Sequence, residues 1–300
     1  MKRLACLITL SILEAWAFAQ APAAKRPHIL GIDHVSFYTT QPDGATSLYS
    51  GTLGLASAAP VESGEIARYM VGKQWVGYSS APDAKATDRE DHVAFTTDNV
   101  VELRKYLLAN GVKVPAIEGR ADHSLSFFVA DPEGHRIEFV ERGKGEVPAP
   151  PETAVSHRLI HTGFLVRSRD VEDHFYRDLL GFRLYWQGWR QAGKTDWVAM
   201  QVPDGTDWLE YMLNAPEQPD LRMVGVMNHI SLGVVDMKQA QALLEAHGWK
   251  PHGSEKAQMG LDGKWQLNVF DPDLTRIELM EFKPAEKPCC ADFTGPHPSE

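Results

Sequence analysis

Four histidines in this chain open segments that look alike: Asp33-His34-Val35-Ser36-Phe37, Asp91-His92-Val93-Ala94-Phe95, Ile160-His161-Thr162-Gly163-Phe164 and Asn228-His229-Ile230-Ser231-Leu232. Three glutamates sit in similar company. Glu138 lies between Ile137 and Phe139, Glu278 between Ile277 and Leu279, and Glu210 between Leu209 and Tyr211. Histidine and glutamate move protons and bind metals, so their placement decides whether they can act together. Side chains alternate across a strand. If Val35, Phe37, Val93, Phe95, Ile230 and Leu232 face a covering helix, the histidines face the other way, and so do the glutamates. A sheet face that gathers ionisable groups lines a site, because unpaired buried charge is costly.

The spacing makes these positions equivalent. His34 and His161 are each followed after 20 residues by a glycine (Gly54, Gly181), and His92 and His229 after 19 (Gly111, Gly248). This is a repeat nested in a repeat, the signature of a unit used four times. Within a unit the order is strand, helix, then further strands. Leu103, Leu107 and Leu108 predict a helix over 100–110, and Ala240, Leu243 and Leu244 one over 237–247. Gly111 and Gly248 stand just past them as C-terminal caps. Asp131-Pro132-Glu133-Gly134 and Pro203-Asp204-Gly205 predict turns between strands.

The chain has 300 residues, 43% of them apolar and 23% charged, with a net charge of -10. That composition is globular, long enough for two domains, and without the basic footprint of a nucleic-acid binder. The predicted organisation is a signal peptide over 1–19, a first domain over 28–142, a linker over 143–156, a second domain over 157–283 and a flexible tail over 284–300. The signal peptide is read from Met1-Lys2-Arg3, the apolar run from Leu4 to Leu13, and Ala17-Phe18-Ala19 as a cleavage site. It predicts a secreted or periplasmic product with no membrane anchor after processing. Cys289 and Cys290 are adjacent and imply no disulfide scaffold. They are left as free thiols, pairs between chains, or a weak metal site.

The histidine-led strands resemble those of the vicinal oxygen chelate superfamily, together with the runs Asp131-Pro132-Glu133-Gly134-His135-Arg136-Ile137-Glu138 and Asp271-Pro272-Asp273-Leu274-Thr275-Arg276-Ile277-Glu278. That superfamily includes glyoxalases, bleomycin-resistance proteins and extradiol dioxygenases. The resemblance runs from His34 to Phe282. It implies an α+β fold of four βαβββ modules, paired into two vicinal-oxygen-chelate cups. It also implies metal ligands on the first and last strands of paired modules. Carried over, these are His34, His92 and Glu138 in the first half, with Gly77 at the fourth slot. In the second half they are His161, Glu210, His229 and Glu278. Imidazole and carboxylate together suit iron(II) foremost, with zinc, manganese and nickel also compatible.

The implied function is that of a metal-dependent enzyme, of dioxygenase type, on a small substrate with vicinal oxygens. The other readings are a glyoxalase-type isomerase or lyase, and a non-catalytic binder in a cup lined by Trp186, Trp189, Trp197 and Trp208. Extradiol enzymes carry a tyrosine on the strand before the ligand carboxylate. Here that slot holds Phe128 and Asn268. His123 is a further acid/base candidate near the first cup, although a loop histidine is the simpler expectation. The sequence leaves a homo-oligomer open.

Overall fold

The computed structural model describes residues 25–145, 150–251 and 255–300, so the expected signal peptide lies outside the described residues. The first half begins with β1 (Ile29–Thr39) and α1 (Pro42–Thr46), which continues as a π-type segment over Ser47–Thr52. Then come β2 (Ala56–Ala58), β3 (Glu65–Val71) and β4 (Gln74–Ser80). Its second module is β5 (Glu90–Thr97), α2 (Val100–Ala109), β6 (Glu118–Gly119), β7 (Leu125–Ala130) and β8 (Arg136–Glu141). The second half repeats the plan. It has β9 (Leu159–Leu165), α3 (Arg169–Asp173) with a π-type segment over His174–Leu179, β10 (Arg183–Gly188), β11 (Trp197–Gln201) and β12 (Trp208–Met212). After a short α4 (Leu221–Met227) come β13 (His229–Val234), α5 (Met237–Ala246), β14 (Gln258–Met259), β15 (Trp265–Phe270) and β16 (Arg276–Glu281).

Each half is one eight-stranded sheet, ordered β2-β3-β4-β1-β5-β8-β7-β6 and β10-β11-β12-β9-β13-β16-β15-β14. The two histidine-bearing strands pair antiparallel at the centre of each sheet, and each also runs parallel to its module's last strand. The module order βαβββ is therefore seen four times, as the repeats imply. The predicted helices end at Ala109 and Ala246. Gly111 and Gly248 follow at φ +83° and +89°, a conformation that costs glycine little. Asn99 and Asp236 cap the starts of these helices by accepting from Glu102 N and Gln239 N.

The apolar faces of both sheets merge into one core, which includes Val35, Phe37, Phe95 and Phe139 of the first half and Phe164, Phe182, Leu209 and Leu279 of the second. A reciprocal polar seam accompanies it. The Asp131 turn receives the Tyr176 hydroxyl (3.0 Å), and the Asp271 turn receives that of Tyr78 (2.7 Å). Two residues on, Glu133 accepts the backbone N–H groups of Arg167 and Ser168, and Asp273 accepts those of Thr40 N and the Thr39 and Thr40 hydroxyls. Each half thus holds the turn that leads into the other half's glutamate strand.

One segment packs where its composition suggests solvent, and one expectation is corrected. Residues 284–300 lie against the second sheet. Phe293 lies against Tyr185 with ring centroids 4.8 Å apart, Gln201 donates to the Pro296 carbonyl (2.9 Å), and Arg158 donates to that of Ser299 (2.5 Å). The aromatic wall of the second sheet offers this proline-rich segment an apolar surface that its composition does not reveal. Cys289 and Cys290, expected not to bridge each other, form a disulfide. Cys290 takes the left-handed conformation there, at φ +75°.

Candidate metal centres

The alternation of β1, β5, β9 and β13 presents the four histidines, and that of β8, β12 and β16 the three glutamates, to the polar faces of the two sheets. In the second half, His161 Nε2 and His229 Nε2 lie 3.1 Å apart. Glu278 Oε2 is 3.3 Å from His161 Nε2, and Glu210 Oε2 is 3.6 Å from His229 Nε2. In the first half, His34 Nε2 and His92 Nε2 lie 3.0 Å apart, with Glu138 Oε2 at 3.3 Å and 3.6 Å from them. Ligands held about 2.0–2.2 Å from a divalent ion sit about 2.8–3.6 Å from one another in octahedral or tetrahedral geometry. The donor atoms of both cups are spaced as edges of such a polyhedron, so His34, Glu62, His92 and Glu138, and His161, Glu210 and His229, could hold a metal ion.

Neighbouring groups aim the imidazoles. The Met227 carbonyl, which can only accept, lies 2.7 Å from His229 Nδ1, so the ring proton sits there and the Nε2 lone pair faces the cup. Gly163 makes room for that ring, since a Cβ at this position would come within 2.3 Å of His229 Cε1. In the first half, Asp33 and Asp91 take the Nδ1 positions of His34 and His92, at 2.8 and 3.1 Å. Trp75 stacks on His34 and Trp208 on His161, with centroids 3.7 and 4.6 Å apart.

The strand register fixes the fourth slot. Gly77 pairs with Ser36 across β1–β4, as Glu210 pairs with Gly163 across β9–β12. Gly77 is therefore the counterpart of Glu210, and the first half has no carboxylate there. A loop residue that the repeats did not point to takes its place. Glu62 lies 3.2 Å from His34 Nε2 and 3.4 Å from His92 Nε2. Arg120, likewise unanticipated, donates to both Glu62 and Glu138. His123 stays apart from this cluster, in a turn at φ +64°.

The cups differ in charge. Burial alone would lower the pKa of His34, but the carboxylates of Asp33, Glu138 and Glu62 around its imidazole raise it to about 10. Glu138 and Glu62 are held low against burial by those same imidazoles. The first cup is thus an ionised network. In the second cup, burial pushes the imidazoles of His161 and His229 down, with Arg276 adding to the effect. Burial and the charge of Glu278 push Glu210 up to about 8. Lys264, fully buried, is pushed down to about 8 by desolvation, and its Nζ has no hydrogen-bond partner. It lies 4.6 Å from the Trp208 ring and 5.3 Å from that of Phe293. A lysine in a polar stretch reads as solvated, which is why the sequence does not mark it.

A prediction follows from Glu210. Below about pH 8 its carboxyl is protonated, and a metal needs the carboxylate. Metal uptake at pH 7 should therefore release close to one proton, and affinity should rise with pH until about 8. Calorimetric titration in buffers of different ionisation enthalpy measures this release. An unchanged heat across buffers would refute it.

The second cup opens into a cavity of about 310 Å³ lined by Trp186, Trp197, Trp208, Arg190, Arg276 and Asn268, among others, with Glu210 and Glu278 on its wall. The sequence profile of the Glyoxalase/Bleomycin resistance protein/Dioxygenase superfamily matches residues 31–139 and 158–279, which together span most of the chain. A search of curated protein sequences finds no match. Among solved structures, the chain resembles a variant of homoprotocatechuate 2,3-dioxygenase from B. fuscum in complex with HPCA. The TM-score is 0.65 at 17% identity, covering 87% of this chain and 73% of that one. The Pseudomonas 2,3-dioxygenase LapB gives 0.63 at 15% identity, covering 92% and 96%. Homoprotocatechuate 2,3-dioxygenase from Arthrobacter globiformis gives 0.65 at 16%, covering 88% and 83%. At such identities the likeness concerns the fold. With both cups assembled from the same histidine-led module, and the profile matching each half, the chain belongs to the glyoxalase/bleomycin resistance protein/dioxygenase superfamily.

Proposed function

We propose that the second cup is the working site of a metal-dependent enzyme of dioxygenase type, acting on a small aromatic substrate with neighbouring oxygens. One observation carries this reading. His161, His229 and Glu210 offer donor atoms close enough to share one ion, Glu278 lies 3.3 Å from His161 Nε2, and a cavity of about 310 Å³ reaches the two glutamates. A bound divalent ion would hold two adjacent substrate oxygens and stabilise the negative charge that develops on them. The chain's own residues supply the rest. Trp186, Trp197 and Trp208 offer flat walls for a ring. Arg190, stacked over Trp197, and Arg276 offer cations to an acidic substituent.

The fold neighbours, one of them a complex with 3,4-dihydroxyphenylacetate, make catechols the first compounds to test. A second reading, isomerase or lyase chemistry of glyoxalase type, is favoured by the pair of histidines with two glutamates and by Asn268 in the tyrosine slot. Iron-loaded protein given 3,4-dihydroxyphenylacetate and simpler catechols under an oxygen electrode should consume one oxygen per substrate. Turnover of a hemithioacetal by zinc- or nickel-loaded protein, with no oxygen uptake from any catechol, would replace the dioxygenase reading by the isomerase one.

A further inference from the structure

The two halves can be aligned on their hydrogen-bonded turns. Arg120 N donates to Ser124 O as Gly260 N donates to Lys264 O, and His123 N donates to Arg120 O as Gly263 N donates to Gly260 O. The strand that follows pairs Phe128 with Glu138, as its counterpart pairs Asn268 with Glu278. Arg120 and Gly260 are therefore the same position of the module, each 18 residues before the strand glutamate. In the first cup this position sends a guanidinium to Glu62 and Glu138. In the second it has no side chain, and it borders the open cavity. The space that a Cβ on Gly260 would enter is filled by Gln266 Nε2 (2.4 Å) and Asp262 Oδ1 (2.5 Å), both ends of flexible side chains.

We infer that Arg120 is a built-in cation that keeps the first cup's otherwise complete metal site, His34, His92, Glu138 and Glu62, from taking a divalent ion. The donor atoms have metal-like spacing. Glu138 is buried and Glu62 partly so; two such carboxylates side by side call for a positive charge, and the guanidinium provides one by donating to both. Glu138 Oε2 remains buried without a hydrogen-bond partner, pointing between the histidines. A metal arriving there meets carboxylates already neutralised by the guanidinium. The inference rests on the functional reading only in taking the second cup as the loaded one.

Cobalt(II) binding to the full-length mature chain tests it, with stoichiometry from elemental analysis after gel filtration and coordination from the visible spectrum. Wild type should bind one equivalent, lost in His229→Ala. Arg120→Gln should bind two, and Arg120→Gln combined with His229→Ala should keep one. The first-cup affinity should rise by at least about 100-fold, the scale on which metal-site partners act. Arg120→Lys, which keeps a cation, should stay at one. Should Arg120→Gln fail to fold, Gly260→Arg reads the same device from the other cup, and it should lose the bound cobalt. Two equivalents in wild type, with one lost on His92→Ala, would overturn the inference, and so would Arg120→Gln remaining at one or Gly260→Arg retaining its metal. Wild type binding none while Arg120→Gln gains one would sink the functional reading and leave the role of Arg120 standing.

Discussion

Glu278→Gln protein should fold, keep its metal-free melting temperature within a few degrees, and lose at least about 100-fold in metal affinity, about 2.7 kcal/mol. Glutamine matches the shape of the carboxylate but cannot supply its charge. Glu278 is buried on β16 with its Oε2 3.3 Å from His161 Nε2, so it is the one carboxylate of the second cup in contact with the first-strand histidine. Oxygen uptake with catechols should disappear together with the metal. Glu210→Gln makes an informative companion. Its metal-free form at pH 7 mimics the protonated Glu210 already present, so stability should be unchanged while the proton release on metal uptake vanishes. Calorimetric titration and thermal melts of the two proteins check both statements. Full affinity in Glu278→Gln would remove this residue from the site.

The second large effect concerns stability rather than chemistry. Asp273→Ala should destabilise the whole chain by about 3–5 kcal/mol, lowering the melting temperature by about 10 °C. Asp273 is buried, accepts from the Thr39 hydroxyl (2.7 Å), Thr40 N (2.9 Å) and the Thr40 hydroxyl (2.6 Å), and lies 3.5 Å from the buried Arg89. Truncation strands all of these donors at once. Asp273→Asn keeps an acceptor and should lose less. Scanning calorimetry should show both halves melting in one shifted transition. Two separate transitions already in the unmodified protein would mean that the seam does not couple them.

The seven metal-site candidates were legible because strand alternation is a local rule, and because four copies of one pattern corroborate each other. His34 and His92 needed no more than Val35, Phe37, Val93 and Phe95 beside them. The register also bears out Gly77 as the slot that lacks a carboxylate. Glu62 was not legible. It comes from the loop between β2 and β3, where no periodicity constrains side-chain direction. Arg120 and Gly260 differ at a turn after two-residue strands, too short to announce themselves. Counting back 18 residues from Glu138 and Glu278 would have paired them. The packing of the terminal segment was not legible because proline and charge suggest solvent, while Phe293 has a partner surface on β10 that only the folded sheet displays.

The reciprocal turns make the first half indispensable whether or not it does chemistry of its own. The strand bearing Glu278 starts from a turn that Tyr78 and Thr39 of the first half pin in place. A genetic screen that scored only turnover in the second cup would still mark Tyr78, Thr39 and Thr40 as intolerant. The first copy's turn contacts would stay under selection even where its cup residues were free to change. After a tandem duplication, one copy can give up its reaction without being lost from the gene, because it has become the frame against which the other copy's ligand strand is set.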